Sequence, residues 1–229
     1  MNFDVSLVWE SLPQIVGGIG LTLELLFLSL TLGTALGVVL VLMRISPVGL
    51  LSWPSFIYIY VFRGTPMLVQ LFIIYHGLAQ FEAIRNSFLW VFLREPFWCA
   101  IIAFSLNVGA YTAEILRGGI QGVDRGLHEA GRALGLKPHQ RFIHVTAPIA
   151  VRLSLPAYGN EIISLLKGTA LVSLITMYDV TGIARTIMAR TFAPYEIFLS
   201  AAIVYLCLTW VIQRGIALAE RRFSRYVRR

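Results

Sequence analysis

Charge is what this sequence has least of. Of 229 residues, 14% are Asp, Glu, Lys or Arg, against roughly 25% in an ordinary soluble domain, while 57% are apolar. A soluble protein of this size needs a charged skin, so an ordinary cytosolic enzyme is excluded, as are disorder and a collagen-like chain. Cysteine is almost absent: Cys99 and Cys207 both sit inside apolar runs and make no disulfide framework. There is no G-x-x-x-x-G-K-[ST] phosphate loop, and the Gly17-Gly18-Ile19-Gly20 cluster lacks both the lysine and the strand that such a loop needs. His76, His128, His139 and His144 lack the spacing of a metal site, no H-E-x-x-H occurs, and no Ser–His–Asp arrangement can be argued. A basic leader is missing too. The first fourteen residues carry Asp4 and Glu10 but no Lys or Arg, so no cleavable signal peptide is expected.

What is present is long apolar runs. A spanning helix needs about 20 predominantly apolar residues, and five stretches qualify: Gly17 to Met43, Ser55 to Ala79, Phe97 to Leu116, Leu155 to Met177 and Ile197 to Ala219. The fourth is interrupted by Asn160, Glu161 and Lys167. The predicted fold is an all-α integral membrane protein of about five transmembrane helices in a single domain. The formal charge of +7 is placed by topology rather than spread along a face for nucleic acid. Arg44, the six basic residues from Arg117 to Arg152 and the six from Arg214 to Arg229 fall on one side, while Arg85, Arg94, Arg185 and Arg190 fall on the other. By the positive-inside rule the richer side is cytoplasmic, with the N-terminus outside and the C-terminus inside.

The connection between the third and fourth runs, about residues 118–154, reads as helix rather than loose loop. Leu127, Ala130, Ala133, Leu134 and Leu136 give a short apolar face that Pro138 ends. A second short helix, Gln140 to Thr146, precedes Pro148. Such a pair suits either docking of a soluble partner or an interfacial helix lying on lipid. Elsewhere, Gly33 and Gly37 form a small-xxx-small pair for close helix packing. Tyr75, Trp90, Trp98 and Tyr195 near run ends fit interfacial anchors.

Glu129-Ala130-Gly131, then Gly135, Ile143 and Ala147-Pro148, resembles the cytoplasmic signature of ABC-importer permeases, with Gly131 for the family's second Ala and Ala147 for its Leu. Phe62-Arg63-Gly64-Thr65-Pro66 with Val69-Gln70-Leu71, and Gly109-Ala110-Tyr111 leading through Ala113-Glu114-Ile115 to Arg117-Gly118-Gly119-Ile120, resemble its polar amino acid branch, of the histidine, arginine and opine type. Lys167-Gly168-Thr169-Ala170-Leu171 matches too, although the family often has Asp-Thr-Ser after the Lys. The similarity runs from about Gly17 to Gly215. It implies the type I ABC-importer permease fold and a bacterial inner-membrane location. It further implies a second permease subunit, separate ATPase subunits that hold the ATP and Mg (no cofactor in this chain), an extracytoplasmic substrate-binding protein and no nucleic acid. Glu129, Ala130, Gly131, Gly135 and Pro148 would then couple to the ATPase. The glycines and alanines offer a close-approach surface, and Glu129 either caps the helix N-terminus or meets a basic residue of the partner.

An intramembrane charge costs at least ~2.5 kcal/mol at the bilayer centre and needs a reason. Glu161, with Asn107, Asn160, Gln70 and Thr169, suits a cavity for a polar, cationic amino acid or opine; alternatively Glu161 pairs with Lys167 or a neighbouring arginine. Arg63 and Thr65 share the second run with Gln70, and Pro66 is expected to kink it. Two rivals are a membrane enzyme acting on lipid head groups through Glu161 and Lys167, and an ion-coupled transporter using Glu161 as proton carrier.

Overall fold

The computed structural model describes residues 3–224 and is helical, with no strand among them. Asp4 opens the first helix, α1 (Val5–Val16), by accepting from the backbone N–H groups of Ser6 and Leu7. That helix is absent from the five runs read from the sequence, being too short to span. It lies against the last helix, α12 (Pro194–Ser224), where Ser11 Oγ donates to Ser200 Oγ at 2.9 Å.

Three helices are long and apolar enough to cross a membrane: α2 (Ile19–Arg44), α7 (Pro96–Gln121) and α12; two bent pairs bring the total to five if each counts as one span. The α2–α7 pair has the most extensive contact in the molecule. A Cβ on Gly33 would come within 2.6 Å of Val108, one on Gly37 within 2.7 Å of Thr112, and one on Gly109 within 2.8 Å of Leu36. At Gly33 and Gly37 the backbone of α7 also comes within 3.0 Å, as the small-residue spacing predicts, whereas Gly109 makes room for the Leu36 side chain.

The second run is not one kinked span. It is α3 (Gly49–Gly64) and α4 (Met67–Phe72), the latter prolonged by a π turn Ile73–Gly77 and a 3₁₀ turn Leu78–Gln80, with a 105° bend between the two halves. Pro66 disfavours the helical region for Thr65, which is extended at φ −116°, ψ 143°, and Pro66 itself sits at ψ 136°. Two successive extended residues turn a kink into a break. Two single-turn helices, α5 (Glu82–Arg85) and α6 (Trp90–Leu93), then lead into α7.

After α7 come α8 (Arg125–Ala133) and α9 (Pro138–Arg141). Pro138 does not merely end the first helix; it occupies the first turn of the next, where a missing N–H costs nothing. The expected separate helix Gln140 to Thr146 is instead continuous with α10 (Ala147–Gly168) through a π turn, Phe142–Thr146. Pro148 has no N–H for the carbonyl four residues earlier, and the wider turn sits where that bond is lost. The fourth run therefore starts eight residues before Leu155, and its far end, Thr169–Ile175, is 3₁₀. Thr176 ends the helix in the left-handed region at φ 65°, and α11 (Val180–Thr191) leaves at a 47° bend, capped by the buried Asp179. Leu25, Leu26, Leu71, Ile101, Phe104, Leu166 and Ile175, from α2, α4, α7, α10 and the 3₁₀ segment, form the main core. Arg225, Arg228 and Arg229, part of the charge asymmetry, lie outside the described residues.

Candidate functional site

A helix that stops inside a protein leaves its last carbonyls without partners. At the α3–α4 break the side chain of Gln70 supplies them. Its Nε2 donates to Phe62 O at 2.8 Å, to Thr65 O at 3.1 Å and to Thr65 Oγ1 at 2.7 Å. Thr65 Oγ1 in turn donates to Val61 O at 2.8 Å, and Asn107 Nδ2 on α7 donates to Gln70 Oε1 at 2.9 Å. In the chain Asn107–Gln70–Thr65–Val61 the two amide side chains are buried while Thr65 and Val61 are exposed, and it holds the broken end of α3 against α7.

Beside that break lies a cavity of about 370 Å³ lined by Arg63, Gly64, Thr65, Pro66, Met67, Asn107, Tyr111, Glu161 and Ser164. Its charges are unevenly committed. Glu114 accepts a fork from Arg117, with Nε at 3.0 and 3.1 Å and an ion pair from Nη2, while Arg63 Nη1 stands 3.9 Å from the same carboxylate. The Arg63 guanidinium also lies 5.5 Å from the Tyr111 ring centroid. Glu161 has no ion pair or hydrogen bond among the described residues. The cavity thus presents one loosely held cation, one carboxylate without a partner, and the Asn107 carbonyl oxygen and Ser164 hydroxyl at the wall.

Of the five residues expected around a ligand, Glu161 and Asn107 meet at this cavity. Gln70 is spent on the helix break, and Thr169 is buried with its hydroxyl on Leu166 O at 2.7 Å. Asn160 is exposed on α10, outside the lining. Lys167 is six residues from Glu161, on a different face of α10, and lines a separate pocket with Tyr205 and Thr209. The alternative pairing Glu161–Lys167 is absent, and among the described residues no arginine is within ion-pair distance of Glu161. Arg63, Tyr111, Glu114, Arg117 and Ser164 were not among the expected five. The first four belong to the two motifs, Phe62–Pro66 and Gly109–Ile120, that carry the resemblance, and the meeting of those motifs at one cavity is the signal that names them.

The expected coupling segment has its own geometry. Asp124, not Glu129, caps α8, accepting from Gly126 N at 2.7 Å; Glu129 lies in the second turn, where capping donors are no longer free. Leu127, Glu129, Ala130, Ala133 and Leu134 are exposed, Leu134 at 79%. Gly131 is not on that surface: it is buried, and a Cβ there would sit 3.2 Å from the Arg141 stem. Gly135 is a helix terminator at φ 74°, with Leu136 N reaching back to Gly131 O at 3.1 Å, so its glycine answers to backbone conformation rather than to close approach. Pro148 is exposed two residues past the π segment.

The family model described as binding-protein-dependent transport system inner membrane component matches residues 29–225. The chain is 44% identical to the nopaline transport system permease protein NocM of Agrobacterium fabrum over 95% of this chain and 90% of that one. It is 38% identical to the histidine/lysine/arginine/ornithine transport system permease protein HisM of Escherichia coli (strain K12), over 92% and 89% respectively. A solved structure of an amino acid ABC transporter with histidines superposes with a TM-score of 0.86 at 36% identity, covering 97% of this chain and all of that one. Five spans counted through two broken pairs, an exposed helix between the third and fourth, and near-full-length similarity to permeases agree with one another: the chain belongs to the binding-protein-dependent transport system inner membrane components, as the permease subunit of an ABC importer rather than an enzyme.

Proposed function

We propose that this subunit imports a positively charged amino acid or an opine, and that the cavity at the α3–α4 break is where the ligand rests during passage. The observation that carries this is Glu161, an intramembrane carboxylate lining the cavity with no cation of its own. An ionised carboxylate at that depth needs a positive partner, and a ligand ammonium or guanidinium is one. Arg63, loosely held by Glu114, is placed to receive a ligand carboxylate. The printed names of the relatives, covering nopaline and histidine, lysine, arginine and ornithine transport, support the same ligand class.

The chain works with a second permease subunit, identical or homologous, since the polar stripe Asn160, Ser164 and Lys167 on α10 is left exposed by the described residues and polar groups facing lipid are costly. A substrate-binding protein delivers ligand at the outer face. Two ATPase subunits carrying ATP and Mg grip the exposed face of α8 (Leu127, Glu129, Ala130, Ala133 and Leu134), and closure of the nucleotide dimer moves α8 and α10 as a unit through the π turn before Pro148. The basic asymmetry supports a cytoplasmic α8 and C-terminus and an outer N-terminus in a bacterial inner membrane.

The test is uptake of labelled arginine by the importer reconstituted with its ATPase. Glu161→Gln keeps shape and removes charge, and stranding a buried charge partner costs roughly 3–5 kcal/mol; cationic uptake falls tenfold or more while glutamine uptake changes little. Equal loss for both ligands, recovered by a paired Glu161→Gln, Lys167→Met change, would place Glu161 in the scaffold instead.

A further inference from the structure

The turn joining α2 to α3 carries a feature that transport does not use. Arg44 ends α2, and its Nη1 donates to Ser52 Oγ at 3.1 Å while Ser52 Oγ donates back to Arg44 O at 3.2 Å. The guanidinium lies 4.9 Å from the Phe56 ring centroid, and Arg44, Ser52, Trp53 and Phe56 line a cavity of about 290 Å³. A guanidinium has five N–H donors, and this one spends one of them on the protein. No acidic residue occurs between Glu24 and Glu82, so neither the twenty residues of α2 after Glu24, nor α3, nor their connection offers a counter-ion. Glu114 on α7 is near enough to feel the Arg44 charge, but its ion pairs go to Arg63 and Arg117.

The position is where an apolar span meets the headgroup layer. Trp53, which lines the cavity, is 66% exposed, and Val48 and Leu50 just before it in the chain are exposed too, Leu50 at 84%; an exposed Trp at a span end belongs to the interfacial belt. We propose that this corner binds the phosphodiester of an anionic phospholipid. The four uncommitted Arg44 donors and the Ser52 hydroxyl meet the phosphate, Phe56 holds the guanidinium plane from behind, and Leu50 and Trp53 lie along the acyl chain. Arginine suits the task because its planar fork takes two phosphate oxygens at once.

The assembled importer is reconstituted with Trp9, Trp90, Trp98 and Trp210 replaced by Phe, leaving Trp53 as the sole reporter in this chain. Quenching is compared between brominated phosphatidylglycerol and brominated phosphatidylcholine. One basic residue near an anionic surface gives about a fivefold preference for the acidic lipid. That preference is expected at Trp53, falls to none in Arg44→Gln, and is cut but not lost in Arg44→Lys, which keeps the charge without the fork. Quenching by phosphatidylcholine, unchanged in both variants, shows that the fold and depth of Trp53 are intact; if Arg44→Gln does not assemble, Arg44→Lys carries the comparison. No preference in the parent protein, or a preference that survives Arg44→Gln, overturns the site. Full reversal of the phosphatidylglycerol effect by excess inorganic phosphate overturns the lipid in favour of a free anion.

Discussion

Replacing Gln70 by Leu should be among the most damaging single changes outside the close helix contacts, although Gln70 does not line the cavity. The substitution nearly conserves volume but removes the three acceptors' shared donor and the oxygen that receives Asn107. Thr65 O then loses its side-chain donor, and Phe62 O and Asn107 Nδ2 keep only their long 3.4 Å contact with each other. Side-chain hydrogen bonds between membrane helices average about 0.6 kcal/mol, with a maximum near 1.7, and a stranded buried polar group costs about 1–3 kcal/mol. Several such losses at one junction place Gln70→Leu at about 2–4 kcal/mol. Gln70→Glu should be worse still, because a carboxylate only accepts and would face carbonyl oxygens that also only accept. Thr65→Val keeps the donor of Gln70 and its backbone acceptors and should cost about 1 kcal/mol. Reversible unfolding of the purified subunit in mixed micelles, followed by helical signal, ranks the three. A Gln70→Leu protein within 0.5 kcal/mol of the parent, or Glu tolerated better than Leu, would refute a break held by this amide.

Gly37→Leu drives a side chain into Thr112 and should cost about 1–3 kcal/mol or more in the same assay, whereas Gly20→Ala, with open space around it, should be nearly silent. Gly135→Ala meets no atom but must adopt φ 74°, so a loss of about 1–2 kcal/mol with no steric signature is expected. Ala133→Trp, on the exposed face of α8, should leave unfolding unchanged while abolishing transport-linked ATP hydrolysis; normal hydrolysis and uptake would remove α8 from the ATPase interface. Hydrogen bonds from Ser6 hold the Asp4 carboxyl below its ordinary range. Its capping contribution to α1 is therefore complete above the usual carboxylate pKa and is lost as pH falls through the lower folded value, so protection of the Ser6 amide, relative to an unfolded peptide at the same pH, should fall as pH drops below the ordinary carboxylate range.

The spans were legible because lipid demands about 20 apolar residues in a row, and the Gly33–Gly37 spacing was enough to identify the α2 face that meets α7. What composition hid was α1, which at twelve residues is too short to register as a span. It also hid the depth of the break at Pro66. Proline by itself predicts a kink of the preceding turn; a 105° break needs a buried donor to satisfy the freed carbonyls. That donor, Gln70, was noticed as an intramembrane polar residue and assigned to the ligand, because a sequence shows that an amide is buried in lipid but not what it faces. Thr169 misled for the same reason, its hydroxyl being turned back onto its own helix. Gly131 and Gly135 sat in the right motif with the wrong physical cause, one packing inward on Arg141 and the other terminating a helix.

The break and the cavity are one device. If α3 ran straight on through residue 66, its last carbonyls would be bonded within the helix and Arg63 would face a continuous helical wall. Breaking it there opens space beside Arg63, but only if the exposed backbone is satisfied by something other than the ligand, since a ligand leaves at every cycle. Gln70, Asn107 and Thr65 meet that demand permanently. The groups left over are those with slack: Glu161 without a partner and Arg63 at 3.9 Å from a carboxylate that Arg117 already holds more closely. A transient site needs such a division, because groups that bind tightly to the scaffold cannot also exchange with a passing ligand. On the proposed function, the cavity-lining charges left with slack, Glu161 and Arg63, are the groups that would meet a substrate, while Gln70 and Asn107 are spent on the helix break.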